Sequence, residues 1–273
     1  MTRIILPTIC VYAAVTFLAA CGGGSSGGAG DSSGGAVAQV GDYAITKAML
    51  NQWMTEKVGE GYYEVATHQA PPGLVAEPAN YPACVATLKA ITPIPGEGRP
   101  QPQPTIAQLT SKCRELYQAI KVQALSYLVS SYWSINFDAD HGIKVTDEEV
   151  QRGLKRIRAE QYPAEGEFQK LLASRRRTLS QELFIVRMDL LGQKVEQRLR
   201  KGGTQLSATF VRDAKSAAAS ASCRPEYMVE YCKGYKTPKT VATSNTGSSS
   251  VLLEEIARWR PETSHGFTGV PVT

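Results

Sequence analysis

Metal ligands are scarce in this chain. Its three histidines, His68, His141 and His265, are scattered, and its cysteines include no Cys-x-x-Cys pair. Neither pattern has the spacing of a zinc site. There is no glycine-rich phosphate loop, no dinucleotide fingerprint and no serine or cysteine nucleophile motif. The sequence therefore gives no reason to expect a cofactor, a metal or a nucleotide, or a catalytic residue of those types. Charge is also modest. The formal net charge is +5 over 273 residues, of which 20% are charged, and it is spread along the chain. That is too little to argue for a nucleic-acid partner. No apolar run reaches the ~20 residues of a spanning helix.

The longest apolar run, Ile4 to Leu18, follows Arg3 and is interrupted by Thr8 and Thr16. At roughly 15 residues it has the length of a signal-peptide core. It leads into Leu18-Ala19-Ala20-Cys21-Gly22, small residues followed by a cysteine, which looks like a bacterial lipobox. In that reading residues 1–20 are removed, Cys21 becomes the lipidated N-terminus, and acyl chains anchor the protein to a membrane. An ordinary secretory signal with an incidental cysteine is the alternative. The glycine-serine tract over 21–36 then serves as a flexible tether.

Of the six cysteines, Cys10 leaves with the leader and Cys21 carries lipid, so Cys84, Cys113, Cys223 and Cys232 remain. An even number in an exported chain suggests disulfides. Three pairings are possible. Proximity in sequence favours Cys84 with Cys113 and Cys223 with Cys232.

Val37 and Val40 precede Gly41-Asp42, and Tyr43 and Ile45 follow it, which predicts a short hairpin. Thr46 is placed to cap a helix carrying Met49, Leu50, Trp53 and Met54 on one side, with Gly59 and Gly61 as its terminators. Residues 61–104 are rich in proline and leave room for one short helix, near Cys84 to Ile91. Tyr62 and Tyr63 fall in that expected loop. Three later helices share one start signal: Thr105 with Gln108, Thr146 with Glu149, and Thr178 with Gln181 each fit a capping box. The first runs from Ile106 to about Phe137, with Ile106, Leu109, Cys113, Leu116, Ile120, Ala124 and Tyr127 as one stripe and Val122, Leu125, Val129 and Tyr132 as a second. Gly142 stops it. The next spans Asp147 to about Gln161. Phe168, Leu171 and Leu172 suggest another. The last runs from Leu179 to Lys201 and ends at Gly202-Gly203. A short amphipathic helix is expected over 251–259.

Asp147, Glu148 and Glu149 suit a helix N-terminus. Two basic clusters, Lys155-Arg156-Arg158 and Arg175 to Arg177, read as solvated helix faces, with weak attraction to lipid headgroups or acidic chains as the alternative.

The segments "VAQVGDYAITKAMLNQWM", "HGIKVTDEEVQRGLKRIRAEQYP" and "EFQKLLASRRRTLSQELFIVRMDLLGQKVEQRL" together resemble the N-terminal domain of SurA/PrsA-type extracytoplasmic foldases, especially the lipoprotein versions of actinobacteria. The likeness covers roughly Val37 to Lys201. It implies a mainly α fold: a SurA N-terminal-like helical domain with one long helix, a small N-terminal β-hairpin, a disulfide-tied loop and a C-terminal clip. The chain departs from the family pattern after Gly203. Fewer than about 25 residues separate Gly203 from Cys223, too few for the core of a parvulin isomerase domain. The segment from Cys223 to Cys232 resembles the one that closes isomerase-containing relatives.

The organisation expected is a leader over 1–20, a tether over 21–36, a chaperone domain over 37–202, a disulfide-clipped segment over 203–238 and a low-complexity tail with a short helix over 239–273. The function implied is that of a lipid-anchored holdase on the extracytoplasmic face of the cell membrane. It would bind unfolded or newly exported polypeptides and have no catalytic residue. Tyr62, Tyr63, Met49 and Met54 are its candidate client-binding residues, because methionine and aromatic side chains adapt to varied partners. Trp53, Tyr127, Tyr132 and Trp133 divide between client surface and core. A prolyl isomerase with a divergent site and a structural envelope lipoprotein are the alternatives.

Overall fold

The alternation around Gly41-Asp42 folds as a hairpin. Strand β1 (Ala36–Val40) pairs antiparallel with β2 (Tyr43–Thr46), with Val40 opposite Tyr43. Gly41 has φ +56°, where a Cβ would be strained and would meet Asn136 Nδ2 at 2.5 Å. The Asn136 side chain donates to the Val40 carbonyl at 3.3 Å and pins the turn to the helix beneath. These features belong to a computed structural model that describes residues 35–66, 81–91, 104–164, 166–217 and 220–236. The leader, Cys21, the tether as far as residue 34, much of the proline-rich connection and the tail helix expected over 251–259 lie outside the described residues; Ala36, expected to end the tether, opens β1.

The described chain is mainly helical. Helix α1 spans Lys47–Ala66, α2 Tyr81–Ile91, α3 Ile106–Asp140, α4 Asp147–Gln161, α5 Glu167–Ser174 and α6 Leu179–Ala217. Local chemistry sets their starts. The Thr46 hydroxyl accepts from the Met49 N–H at 3.1 Å. Thr105 with Gln108 and Thr146 with Glu149 form complete capping boxes. The Thr178 hydroxyl accepts from the Gln181 N–H, and the Gln181 side chain accepts from the Thr178 N–H. Each box satisfies two backbone donors that the helix leaves unpaired.

Helix α3, 35 residues and roughly 50 Å long, is the spine. Leu50 and Met54 of α1 pack with Leu109, Leu116, Ile120, Leu125 and Leu128 of α3, and all are fully buried. Two stripe members depart from expectation: Ile106 and Val122 are exposed. A smaller core joins Val150 and Leu154 of α4 to Phe168 of α5 and Val186 of α6. Both cysteine pairs favoured by proximity are bonded. Cys84–Cys113 ties α2 to α3, and Cys223–Cys232 closes the clip. The clip also supplies strand β3 (Ser222–Cys223), which pairs antiparallel with β1 and completes a sheet of order β2-β1-β3.

Helix α1 does not end at Gly59 or Gly61. It continues to Ala66, so Tyr62 and Tyr63 belong to a helix rather than a loop. Gly59 is there for proximity. A Cβ on it would stand 2.3 Å from the Arg175 carbonyl oxygen, so only glycine lets α1 meet the α5–α6 connection. Gly202-Gly203 does interrupt the last helix, as expected. The helix breaks at Gly203, with φ 67° and ψ −169°, and then resumes.

The connection that Gly59 admits corrects a second expectation. Arg177 is not on a solvated face; it is buried against three carboxylates. It donates to Glu56 Oε1 through Nε at 2.9 Å and Nη2 at 2.6 Å, to Glu60 at 2.6 Å and to Glu182 at 2.7 Å. Burial pulls the guanidinium pKa down, but the carboxylates more than offset this and hold it above its ordinary value. Burial also pushes Glu56 up, against the pull of Lys57 and Arg177, and its Oε2 has no hydrogen-bond partner. The cluster locks α1 to the start of α6. By contrast, Lys155, Arg156 and Arg158 are exposed on α4, as expected.

Candidate functional site

Three features of the fold create a groove that no single segment contains. Toward its C-terminal end α3 carries Trp133 and Phe137, and His141 caps it, the three spaced four residues apart and therefore on one face. Their rings run in series, with centroids 4.9 Å apart for Trp133–Phe137 and 4.3 Å for Phe137–His141. Helix α6 brings Met188, Leu191 and Val195 alongside. In a straight helix Leu191 and Phe210 would lie about 28 Å apart, at 1.5 Å per residue. The break at Gly203 redirects the chain, and Phe210 meets Phe137 edge-on at 5.0 Å and His141 at 5.2 Å. The groove between these walls has a volume of about 260 Å³ and a lining that is almost wholly apolar.

Its polar residues are Ser134 and Asp138, and Asp138 alone of the lining is ionisable. It lines the groove and is only 6% exposed. Burial raises its carboxyl pKa to about 6, although His141 draws it down. The Asp138 backbone closes the helix, since its carbonyl accepts from the Ile143 N–H at 2.8 Å and the His141 N–H at 3.1 Å. Gly142, at φ +73°, allows the reversal that follows. His141 is occupied elsewhere: Nδ1 lies 2.7 Å from the Phe137 carbonyl oxygen and Nε2 lies 3.7 Å from Asp213.

A second recess, between α4 and α5, is larger at about 530 Å³. Leu154 and Phe168 form its buried floor, and Lys155, Arg158 and Gln151 stand exposed at its rim. Ligand sites of this size rely on a few convergent, fixed polar groups. Here the polar side chains are solvated, and Arg158 lies over the Phe168 ring at 5.1 Å.

The residues expected to hold clients do not converge. Met54 is a correction: it is fully buried between α1 and α3 and presents nothing to a partner. Met49 is half-buried, with the Tyr132 hydroxyl 3.9 Å from its sulfur. Tyr62 and Tyr63 sit in the last turns of α1, and their side chains lie outside the described residues. Trp53 is core, its ring tilted against Tyr127 and edge-on to Phe184. Of the aromatic residues, Trp133 reaches the groove. The sequence held one further signal, the spacing of Trp133, Phe137 and His141 with Asp138 and Asp140 among them. Phe210 and Met188 were out of reach, because only the break at Gly203 brings them there.

Among the described residues no group of His, Cys, Asp and Glu could hold a metal ion, and no helix is long and apolar enough to cross a membrane. Comparison with protein-family models, with curated proteins and with solved structures finds no match for this chain.

Proposed function

We propose that this chain is a membrane-anchored extracytoplasmic holdase, which shields apolar segments of newly exported polypeptides in the groove between α3 and α6. The observation that carries the reading is the groove itself: a nearly continuous apolar lining with a methionine in its wall. At about 260 Å³ it falls just below the ~300 Å³ of small-molecule sites, which suits side chains of a longer segment better than a whole ligand. Met188 gives that wall adaptability, since its thioether packs against varied shapes.

Two further features support the compartment and the anchor. The disulfides Cys84–Cys113 and Cys223–Cys232 fit an oxidising environment. Leu18-Ala19-Ala20-Cys21 and the tract behind it fit lipidation at Cys21 and a tethered body. The resemblance of Val37 to Lys201 to the SurA/PrsA-type chaperone domain supports the same reading. The short interval between Gly203 and Cys223 leaves no room for a parvulin domain.

The test is suppression of aggregation. The purified chain should slow aggregation of an unfolded client at near-stoichiometric amounts without nucleotide, and should not accelerate isomerisation of a proline tetrapeptide. Isomerase activity above background would replace the holdase with the enzyme reading. Failure to protect any client would favour the structural lipoprotein.

A further inference from the structure

We propose that the groove between α3 and α6 selects apolar segments that carry a lysine or arginine, whose cation seats against the Asp138 carboxyl. The inference rests on the holdase reading and names the class of segment that such a site would take.

Asp138 is more than nine-tenths buried yet lines the groove, and its carboxyl stands in an otherwise apolar wall with His141 as the charged neighbour that favours its ionised form. A carboxylate in an apolar wall loses much of its hydration and gains from a partner of opposite charge. His141 supplies that only in part. From α3 the facing group is His141, whose two ring nitrogens are directed to the Phe137 carbonyl and to Asp213. The continuation of α6 brings Asp213, of the same sign as Asp138. The first part of α6 contributes Met188, Leu191 and Val195, which carry no charge. A cation is what this site lacks.

The walls decide what kind of cation. A divalent metal needs several oxygen ligands, and here one carboxyl and the Ser134 side chain stand among aromatic and aliphatic ones. A lysine or arginine side chain matches both parts. Its methylene stem packs on Phe137, Leu191 and Phe210 while its head reaches the acid. Apolar residues flanking it in the same segment cover the remainder of the groove. The same geometry rejects a segment with an acidic residue at that point, since Asp138 and Asp213 would repel it.

Three fluorescent peptides test this, identical apolar sequences with lysine, Nε-acetyl-lysine or glutamate at the centre. Anisotropy titrations with the full chain should give about tenfold tighter binding for lysine than for acetyl-lysine, the effect of one charge-assisted contact, and weakest binding for glutamate. Asp138→Asn should remove the difference between the first two peptides, with circular dichroism checking that the variant is folded. Equal affinities of the lysine and acetyl-lysine peptides for the wild-type chain would overturn the proposal and leave the holdase reading standing. A lysine preference that survives in Asp138→Asn would also overturn it. Absence of binding by all three peptides would overturn both.

Discussion

Arg177 and Glu56 lie 121 positions apart in sequence and meet through two hydrogen bonds in the interior, from Nε at 2.9 Å and Nη2 at 2.6 Å. Such a pair contributes less by its attraction than its loss would cost. Arg177→Met leaves Glu56 buried beside Glu60 and Glu182 without its hydrogen-bonded partner, with Lys57 at 3.5 Å as its remaining cation. We expect destabilisation of about 3–5 kcal/mol in urea unfolding. Glu56→Leu combined with Arg177→Met should recover a large part of that loss. A single variant as stable as the wild type would refute the view of this cluster as a lock between α1 and α6.

Asp138 gives the fold a pH dependence of known sign. Its carboxyl pKa is about 6 in the fold against an ordinary 3.8, so the folded chain binds the proton more tightly. The stability due to that proton is complete below the ordinary value and is lost as pH rises through about 6. Asparagine has no proton to lose. Asp138→Asn should therefore be more stable than the wild type by about 1–3 kcal/mol above pH ~7, with the gap closing as pH falls toward ~4. Thermal unfolding across that range checks it. A gap independent of pH would show that the carboxyl does not titrate as described.

Two glycines should respond in opposite directions to alanine. Gly59→Ala places a Cβ 2.3 Å from the Arg175 carbonyl oxygen and must push α1 from the α5–α6 connection. A loss of about 1–3 kcal/mol should outweigh the gain in helix propensity. Gly192, within α6, has open space where a Cβ would go. There alanine should stabilise by roughly 0.5–1 kcal/mol. Denaturant midpoints of the two variants, displaced to opposite sides of the wild type, are the expected result.

Cys84 and Cys113 are separated by 29 residues, and their bond closes the longer of the two loops. Replacing both by serine should cost about 3–4 kcal/mol in the chain-entropy account. Non-reducing peptide mapping should find Cys84 with Cys113 and Cys223 with Cys232. Free thiols or crossed pairs would contradict the connectivity.

What the sequence disclosed was local. The Gly41-Asp42 turn and the boxes at Thr105, Thr146 and Thr178 involve residues within a few positions of each other, and each is formed. Both disulfides followed from proximity. What it concealed depends on distant partners. Gly59 as a point of close approach looks the same in sequence as Gly59 as a terminator, because the deciding atom belongs to Arg175. Arg177 reads as one of three adjacent surface cations until α1 supplies Glu56 and Glu60. Strand β3 is two residues long and is defined by β1. The groove needs α3, α6 and the break at Gly203 together, so the client residues chosen from α1 alone, Met54 above all, fell in the core.

Light scattering from an aggregating unfolded client tests the central claim most directly. The comparison is between the wild-type chain and Met188→Ser combined with Val195→Ser, two half-buried positions on the groove wall. The account expects the wild type to suppress aggregation at near-stoichiometric amounts, and the double variant to lose most of that effect with its unfolding temperature within a few degrees. A stable double variant that protects the client as well as the wild type would contradict the groove as the client site.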